Sequence, residues 1–181
     1  MTHSLKTACL SALSLAVLGS AAATEWKVGN LMPEGQEPTS DADGLYVLAE
    51  NAEGPAIMLG CSDRLGVQAR VYLNGMTPAG LAVEKARRVK TRSVKISTDS
   101  TEAKRDTWAY LKSKGQLISV RPWQGKRIFN AAIRGDIVNM DVTKVGDLAI
   151  ELPEINDAFK SFAATCAATA PRKPSIDNTE T

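Results

Sequence analysis

The sequence predicts an α+β fold dominated by sheet. An antiparallel β-sandwich or twisted sheet would carry a short helix and a C-terminal helix, tied by one disulfide. Three observations lead there. Short alternating or β-branched apolar runs recur between turn residues from Trp26 to Val120. The apolar period then changes to three and four residues in two places, around Ile128 and around Phe159. Finally, once a leader is discounted, the cysteines are an even pair, Cys61 and Cys166.

The leader is residues 1–23. It contains Lys6, an apolar run over 10–18 and the closing Gly19-Ser20-Ala21-Ala22-Ala23. A basic start, a short apolar centre and small final residues are the features of a cleaved secretory signal, which makes Thr24 the first mature residue. The run is too short to span a bilayer, and Cys9 leaves with it. No later segment approaches about 20 apolar residues, so no transmembrane segment is expected. One domain over 24–166 should precede a polar, disordered tail at 167–181, which holds Pro171 and Pro174. Export to the periplasm or beyond exposes Cys61 and Cys166 to oxidising conditions, where they are expected to pair. Two buried free thiols are the alternative.

The elements follow in order. Trp26-Lys27-Val28 suits a short strand before a Pro-, Gly- and acid-rich loop. Residues 45–49 and 56–61, parted by Asn51-Ala52-Glu53-Gly54, make a hairpin that ends on Cys61. Residues 67–73 alternate, with Val67, Ala69, Val71 and Leu73 on one face and Gln68, Arg70 and Tyr72 on the other. No period is clear over 76–86. Residues 88–97 and 107–111 read as strands, and Lys114-Gly115 turns the chain into a short strand at 116–120. From Trp123 to Gly135, Ile128, Phe129, Ala132 and Ile133 fall at helical spacing and Gly135 sits where a helix stops; a strand is the competing form. Residues 137–142 and 148–152 complete the strands. In the last helix, Pro153 suits the first helical position, and Ile155, Phe159, Phe162 and Cys166 form one stripe. That stripe would staple the helix to the strand ending at Cys61.

Chemistry is bounded by what the mature chain lacks. The sole histidine, His3, lies in the leader. A Ser-His-Asp triad, a Cys-His pair and a His-ligated zinc are thereby excluded. No Gly-rich phosphate loop and no Cys-x-x-Cys occurs, and the acids stand in no recognisable catalytic motif. Thr39, Asp41, Asp43, Gly44 and Glu50 partly imitate a calcium loop, but position one should be Asp, so an acidic turn is the better description. No catalytic residue, metal or cofactor is expected.

Charge is distributed unevenly. Residues 24–63 carry a net −7, residues 64–134 a net +12 and residues 135–181 a net −4. The densest basic run is Lys85, Arg87, Arg88, Lys90, Arg92 and Lys95, without an acid inside it. Arg87, Arg88, Lys90, Arg92 and Lys95 are therefore the candidate site for a protein or an anionic envelope component. A solvated or aggregation-proof strand edge is the other interpretation. Export and the absence of interleaved aromatics argue against nucleic acid. Trp123, in a loop-like Arg121-Pro122 and Gln124-Gly125 context, is the candidate exposed aromatic, whereas Trp26 and Trp108 suit a core.

The stretch from Trp108 to Cys166 resembles the small periplasmic domain of type VI secretion-associated accessory proteins of the TagO/VasI type. The matching pieces are Trp108, Ser113-Lys114-Gly115, Ile128-Phe129 with Ala132-Ile133, Ile137 to Val142, and Ala158-Phe159-Lys160-Ser161-Phe162 leading to Cys166. Invasion-associated locus B periplasmic proteins share the general plan. The resemblance implies a periplasmic β-rich fold and an accessory role in secretion, and no catalytic residues. The expected function is that of a non-catalytic binding protein acting through a surface. A secreted inhibitor or immunity protein and a carboxylate-based cell-wall hydrolase are the alternatives.

Overall fold

Alternation of side chains across a strand decides where the apolar runs of this chain go. The computed structural model describes residues 25–31, 44–51, 54–62, 65–74 and 89–169. The expected signal, most of the basic run's start and residues 170–181 lie outside them. Among the described residues the strands are β1 (Trp26–Asn30), β2 (Leu45–Ala49), β3 (Ala56–Ser62), β4 (Gly66–Tyr72), β5 (Lys90–Thr98), β6 (Thr101–Leu111), β7 (Gln116–Ile118), β8 (Val138–Val142) and β9 (Gly146–Ile150). Two helices, α1 (Pro122–Arg134) and α2 (Asp157–Thr169), complete the fold.

All strands join one antiparallel sheet in the order β1-β2-β3-β4-β7-β6-β5-β8-β9. The first four run as a meander. The β5–β6 hairpin is then laid down one place away, and β7 returns to fill the gap between β4 and β6. One sheet is thus formed, not the two of a sandwich. Its inner face supplies Val47, Ile57, Leu59, Val71, Leu117, Trp108, Ile96, Met140 and Ile150, which pack with Ile128 and Ala131 of α1 and Phe159 and Phe162 of α2. Strands β2 to β4 are buried on the other face too, through Tyr46, Leu48, Met58 and Tyr72. The unbroken apolar run of β2 reflects that double burial.

The sheet is strongly curled. At about 4.8 Å between neighbours, β1 and β9 would lie roughly 38 Å apart if it were flat. Yet the Asn156 Nδ2 group donates to the Trp26 carbonyl at 2.8 Å, and the Trp26 indole donates to the Pro153 carbonyl at 3.0 Å. Six Cα-to-Cα steps lead from Ile150 to Asn156 and can span at most about 21 Å. The two edges are therefore drawn together around the helices. Asn156 serves twice, because its Oδ1 also accepts from the Phe159 amide at 3.1 Å and caps α2. The last helix consequently begins at Asp157, later than Pro153 suggested. Ile155, outside the helix, is 39% exposed and leaves the stripe to Phe159, Phe162 and Cys166. Helical residues continue through Thr169, past the expected start of the tail.

Cys61 and Cys166 are disulfide-bonded with their Cα atoms 5.4 Å apart. The bond fastens α2 to β3. Helix α1 is fastened by close approach: a Cβ at Gly125 would fall 2.0 Å from the Val67 carbonyl oxygen of β4. Its stop matches the sequence signal, with Gly135 in the left-handed region at φ 71°. Pro122 to Gly125, expected as loop around Trp123, form its first turn instead, because Pro122 suits a first helical position and the Gln124 side chain takes the amides ahead of it.

Two stability predictions follow from these fasteners. Replacing Cys61 and Cys166 by Ala opens a loop of sequence separation 105. Urea unfolding should lose about 2–4 kcal/mol, and reductant should then leave the variant unaffected. Gly125→Ala must push α1 from β4, and its unfolding midpoint should fall by the equivalent of roughly 1–3 kcal/mol.

Candidate functional site: a basic cleft between α1 and β6

Strand β7 pairs with β6 only along Ala109–Leu111, so the earlier part of β6 has no strand on that side among the described residues. Its residues 101–106 include Glu102, Lys104, Arg105 and Asp106, a charged run that offers little to bury and that alternation alone does not mark as strand. Pairing with β5, from Thr98↔Thr101 to Lys90↔Tyr110, is what extends it. After β7 the chain turns into α1, whose first turn finishes the edge. Gln124, fully buried, accepts from the Val120 and Arg121 amides at 2.7 and 2.9 Å and donates to the Thr107 carbonyl at 3.0 Å. The Trp123 indole donates to Asp106 Oδ2 at 3.2 Å, and Asp106 Oδ1 accepts from the Thr107 amide at 2.7 Å.

Below this junction lies a cleft of ≈ 240 Å³ lined by Thr101 and Lys104 of β6 and by Trp123, Lys126, Arg127, Asn130 and Arg134 of α1. The helical members recur at three- and four-residue steps, so they share one face. Gly125, Ile128, Ala131 and Ala132 take the buried face. The Lys104 ammonium sits 4.4 Å from the centre of the Trp123 ring, and the Arg127 guanidinium carbon 5.3 Å from it. Arg127 is held by two carbonyls, Ile96 at 2.7 Å and Glu102 at 2.6 Å. Burial lowers its pKa, a sign of a partly desolvated cation. Among the described residues, no carboxylate lies within ion-pair distance of Lys104, Lys126 or Arg127. Arg134 alone is neutralised, by Asp136 at 3.0 Å.

No family model, curated protein or solved structure matches this chain.

The residues singled out in the sequence are dispersed. Arg87 and Arg88 lie outside the described residues. Lys90 and Arg92 stand opposite Tyr110 and Trp108 and share the inner-facing side of β5, whereas Lys95 faces the other way, opposite Arg105 and Asp141. Density along a strand does not make a patch, because neighbours alternate. Arg92 stacks on Tyr110, its carbon 4.8 Å from the ring centre. The Nε of Arg92 and the indole nitrogen of Trp108 are buried without an acceptor among the described residues. Trp26 and Trp108 are core residues, and Trp123 is half-buried in the cleft wall. Thr39, Asp41 and Asp43 lie outside the described residues, while Glu50 is ion-paired with Lys27.

Sequence reasoning passed over Lys104, Lys126, Arg127 and Arg134. The one available signal was the polar stripe 123-126-127-130-134 opposite the apolar one. The carboxylates nearest to a hydrolytic pair are Asp141 and Asp147, directly opposed on β8 and β9 in an open trough of ≈ 400 Å³. Asp141 is ion-paired with Arg105 and Asp147 is exposed, so neither has the buried setting of a general acid.

Asp136 braces the cleft's far end. Its carboxylate accepts from Ser100 at 2.7 Å, from Thr98 at 3.0 Å and from Arg134. Chiefly the Ser100 hydrogen bond, then Arg134 and Thr98, hold its pKa below the ordinary 3.8. A carboxylate with a lowered folded pKa stabilises the fold fully above its unfolded value and ceases to do so as pH falls through the folded one. Stability measured by urea titration should drop as pH falls below about 3.8, and Asp136→Asn should flatten that acid limb.

Proposed function

We propose that this chain is an exported, non-catalytic binding protein of the periplasm that holds an anionic partner in the cleft between α1 and β6. The observation that carries it is the grouping of Lys104 and Arg127 on Trp123, with Lys126 in the same cleft and no carboxylate among its lining residues. Like charges repel, and a fold that fixes three of them together stores an attraction for an opposite charge. Arg127 is pre-organised by its two carbonyl bonds, so little side-chain freedom is lost when a ligand arrives. The disulfide fits an oxidising compartment. An accessory role in a secretion or envelope assembly accords with a surface that binds without reacting.

The test compares paired variants of equal charge. Lys104→Gln with Lys126→Gln removes cleft charge, and Lys112→Gln with Lys160→Gln removes it from exposed positions elsewhere. Binding of poly-glutamate and of purified lipopolysaccharide at low salt should weaken about tenfold or more in the first pair and hardly at all in the second. Equal losses in both pairs, or no binding by the unmodified protein, would overturn the assignment.

A further inference from the structure

A chain of hydroxyls at the far end of the cleft fixes the polarity of one of its lining side chains. Thr98 Oγ1 lies 2.8 Å from Thr101 Oγ1 and 3.0 Å from Asp136 Oδ2. Asp136 also accepts from Ser100 at 2.7 Å and from Arg134 at 3.0 Å, and these donors keep its carboxyl ionised. An ionised carboxylate only accepts, so the single hydroxyl hydrogen of Thr98 goes to Asp136. Thr98 has no second hydrogen, and Thr101 must therefore donate its own to Thr98. The relay runs in one direction, from Thr101 to Thr98 to Asp136.

Thr101 lines the cleft, half-buried, with its only hydroxyl hydrogen spent. Any hydrogen bond that its oxygen makes with a ligand is one that it accepts. Lys104, Lys126 and Arg127 are the reverse, since their nitrogens only donate. Both carbonyl bonds of Arg127 use Nη1, which leaves its Nε and Nη2 for two oxygens of one anionic group. The Trp123 indole hydrogen is committed to Asp106, so the ring offers none to a ligand. Asn130 of α1 can donate or accept.

The lining thus asks for two things at once, an anion for the three cations and a donor for Thr101. A bare carboxylate or phosphate dianion supplies only the first, and its lone pairs would face those of Thr101. The cleft of ≈ 240 Å³ is smaller than the roughly 300–1,000 Å³ of sites that enclose a drug-sized ligand, so charge and donor must belong to one compact unit. A hydroxyl beside the anionic group meets that demand. It also accepts, unlike an amide N–H, so it can bridge Thr101 and the amide of Asn130.

We propose that the cleft holds an anionic sugar, with its phosphate or carboxylate on Lys104, Lys126 and Arg127 and a neighbouring hydroxyl donating to Thr101. This deepens the anion-binding assignment above and rests on it. The cations supply the attraction, and Thr101 selects a hydroxylated anion over a plain one.

The experiment uses the full disulfide-bonded chain at low salt and follows the Lys126 and Asn130 amides by nuclear magnetic resonance. Two pairs of probes differ in hydroxyls at equal charge: glucosyl phosphate against cyclohexyl phosphate, and glucuronate against cyclohexanecarboxylate. The two pairs also separate a phosphate source from a carboxylate one. In at least one pair the sugar should bind at least about threefold more tightly than its counterpart. Glucuronate should also exceed N-acetylglutamate amide, an acidic peptide unit of the same charge. Thr101→Val should bring the preferred sugar down to the level of its counterpart, and Thr101→Ser should restore the difference. Should Thr101→Val fail to fold, the probe pairs still decide. Equal affinities within both pairs, a peptide unit as tight as the sugars, or a preference that survives Thr101→Val would overturn the sugar and leave the anion-binding cleft standing. Absence of any shift at Lys126 and Asn130 would overturn it too. If polyanion binding were also indifferent to Lys104→Gln with Lys126→Gln, both assignments would fall.

Discussion

The clasp between the two edges of the sheet is the constraint on which the rest depends. Trp26 gives its indole hydrogen to Pro153 and takes one from Asn156 on its carbonyl. Nine strands cannot lie flat if the first must meet the residues that follow the last. Curling makes one inner face, and that face must be filled. The two helices fill it, with Phe129 stacked on Phe159 at 5.3 Å between ring centres where α1 and α2 meet. The disulfide ties α2 to β3, and Gly125 lets α1 come close to β4. Helix α1 reaches β6 through Gln124 at Thr107 and Arg127 at Glu102, and the cleft lies beside these contacts.

Much of this architecture was legible in the amino-acid order, for a physical reason. Where burial alone decides conformation, the pattern of apolar residues records it. The alternation from Val67 to Leu73 gives β4 and its faces, and Phe159, Phe162 and Cys166 give the buried side of α2. What escaped was decided by partners distant in sequence. The opening half of β6 is a strand because β5 pairs with it, not because its charged side chains favour one. The start of α2 was displaced because Asn156 bonds a backbone group 130 positions away. No local signal distinguishes that asparagine from any other.

The functional surface shows the same division. A run of cations in sequence drew attention to Lys90, Arg92 and Lys95, yet a strand sends such neighbours to opposite sides. The cations that do converge come from a strand and a helix separated by β7 and a turn. Trp123, expected exposed in a loop, lies half-buried in the first turn of α1 instead, flanked by Lys104 and Arg127. Its role differs from stacking on a free ligand: the ring spreads and anchors positive charge that would otherwise be mobile in solvent.

Helix α1 separates two tasks within thirteen residues. Gly125, Ile128, Ala131 and Ala132 are committed to the interior, where a single added methyl meets backbone or core. Lys126 and Asn130 line the cleft, where exchange alters the surface but meets no core packing, while Arg134 beside them is tied to Asp136. Substitution along the outer stripe can therefore change the charge of this face while the inner stripe keeps the scaffold constant.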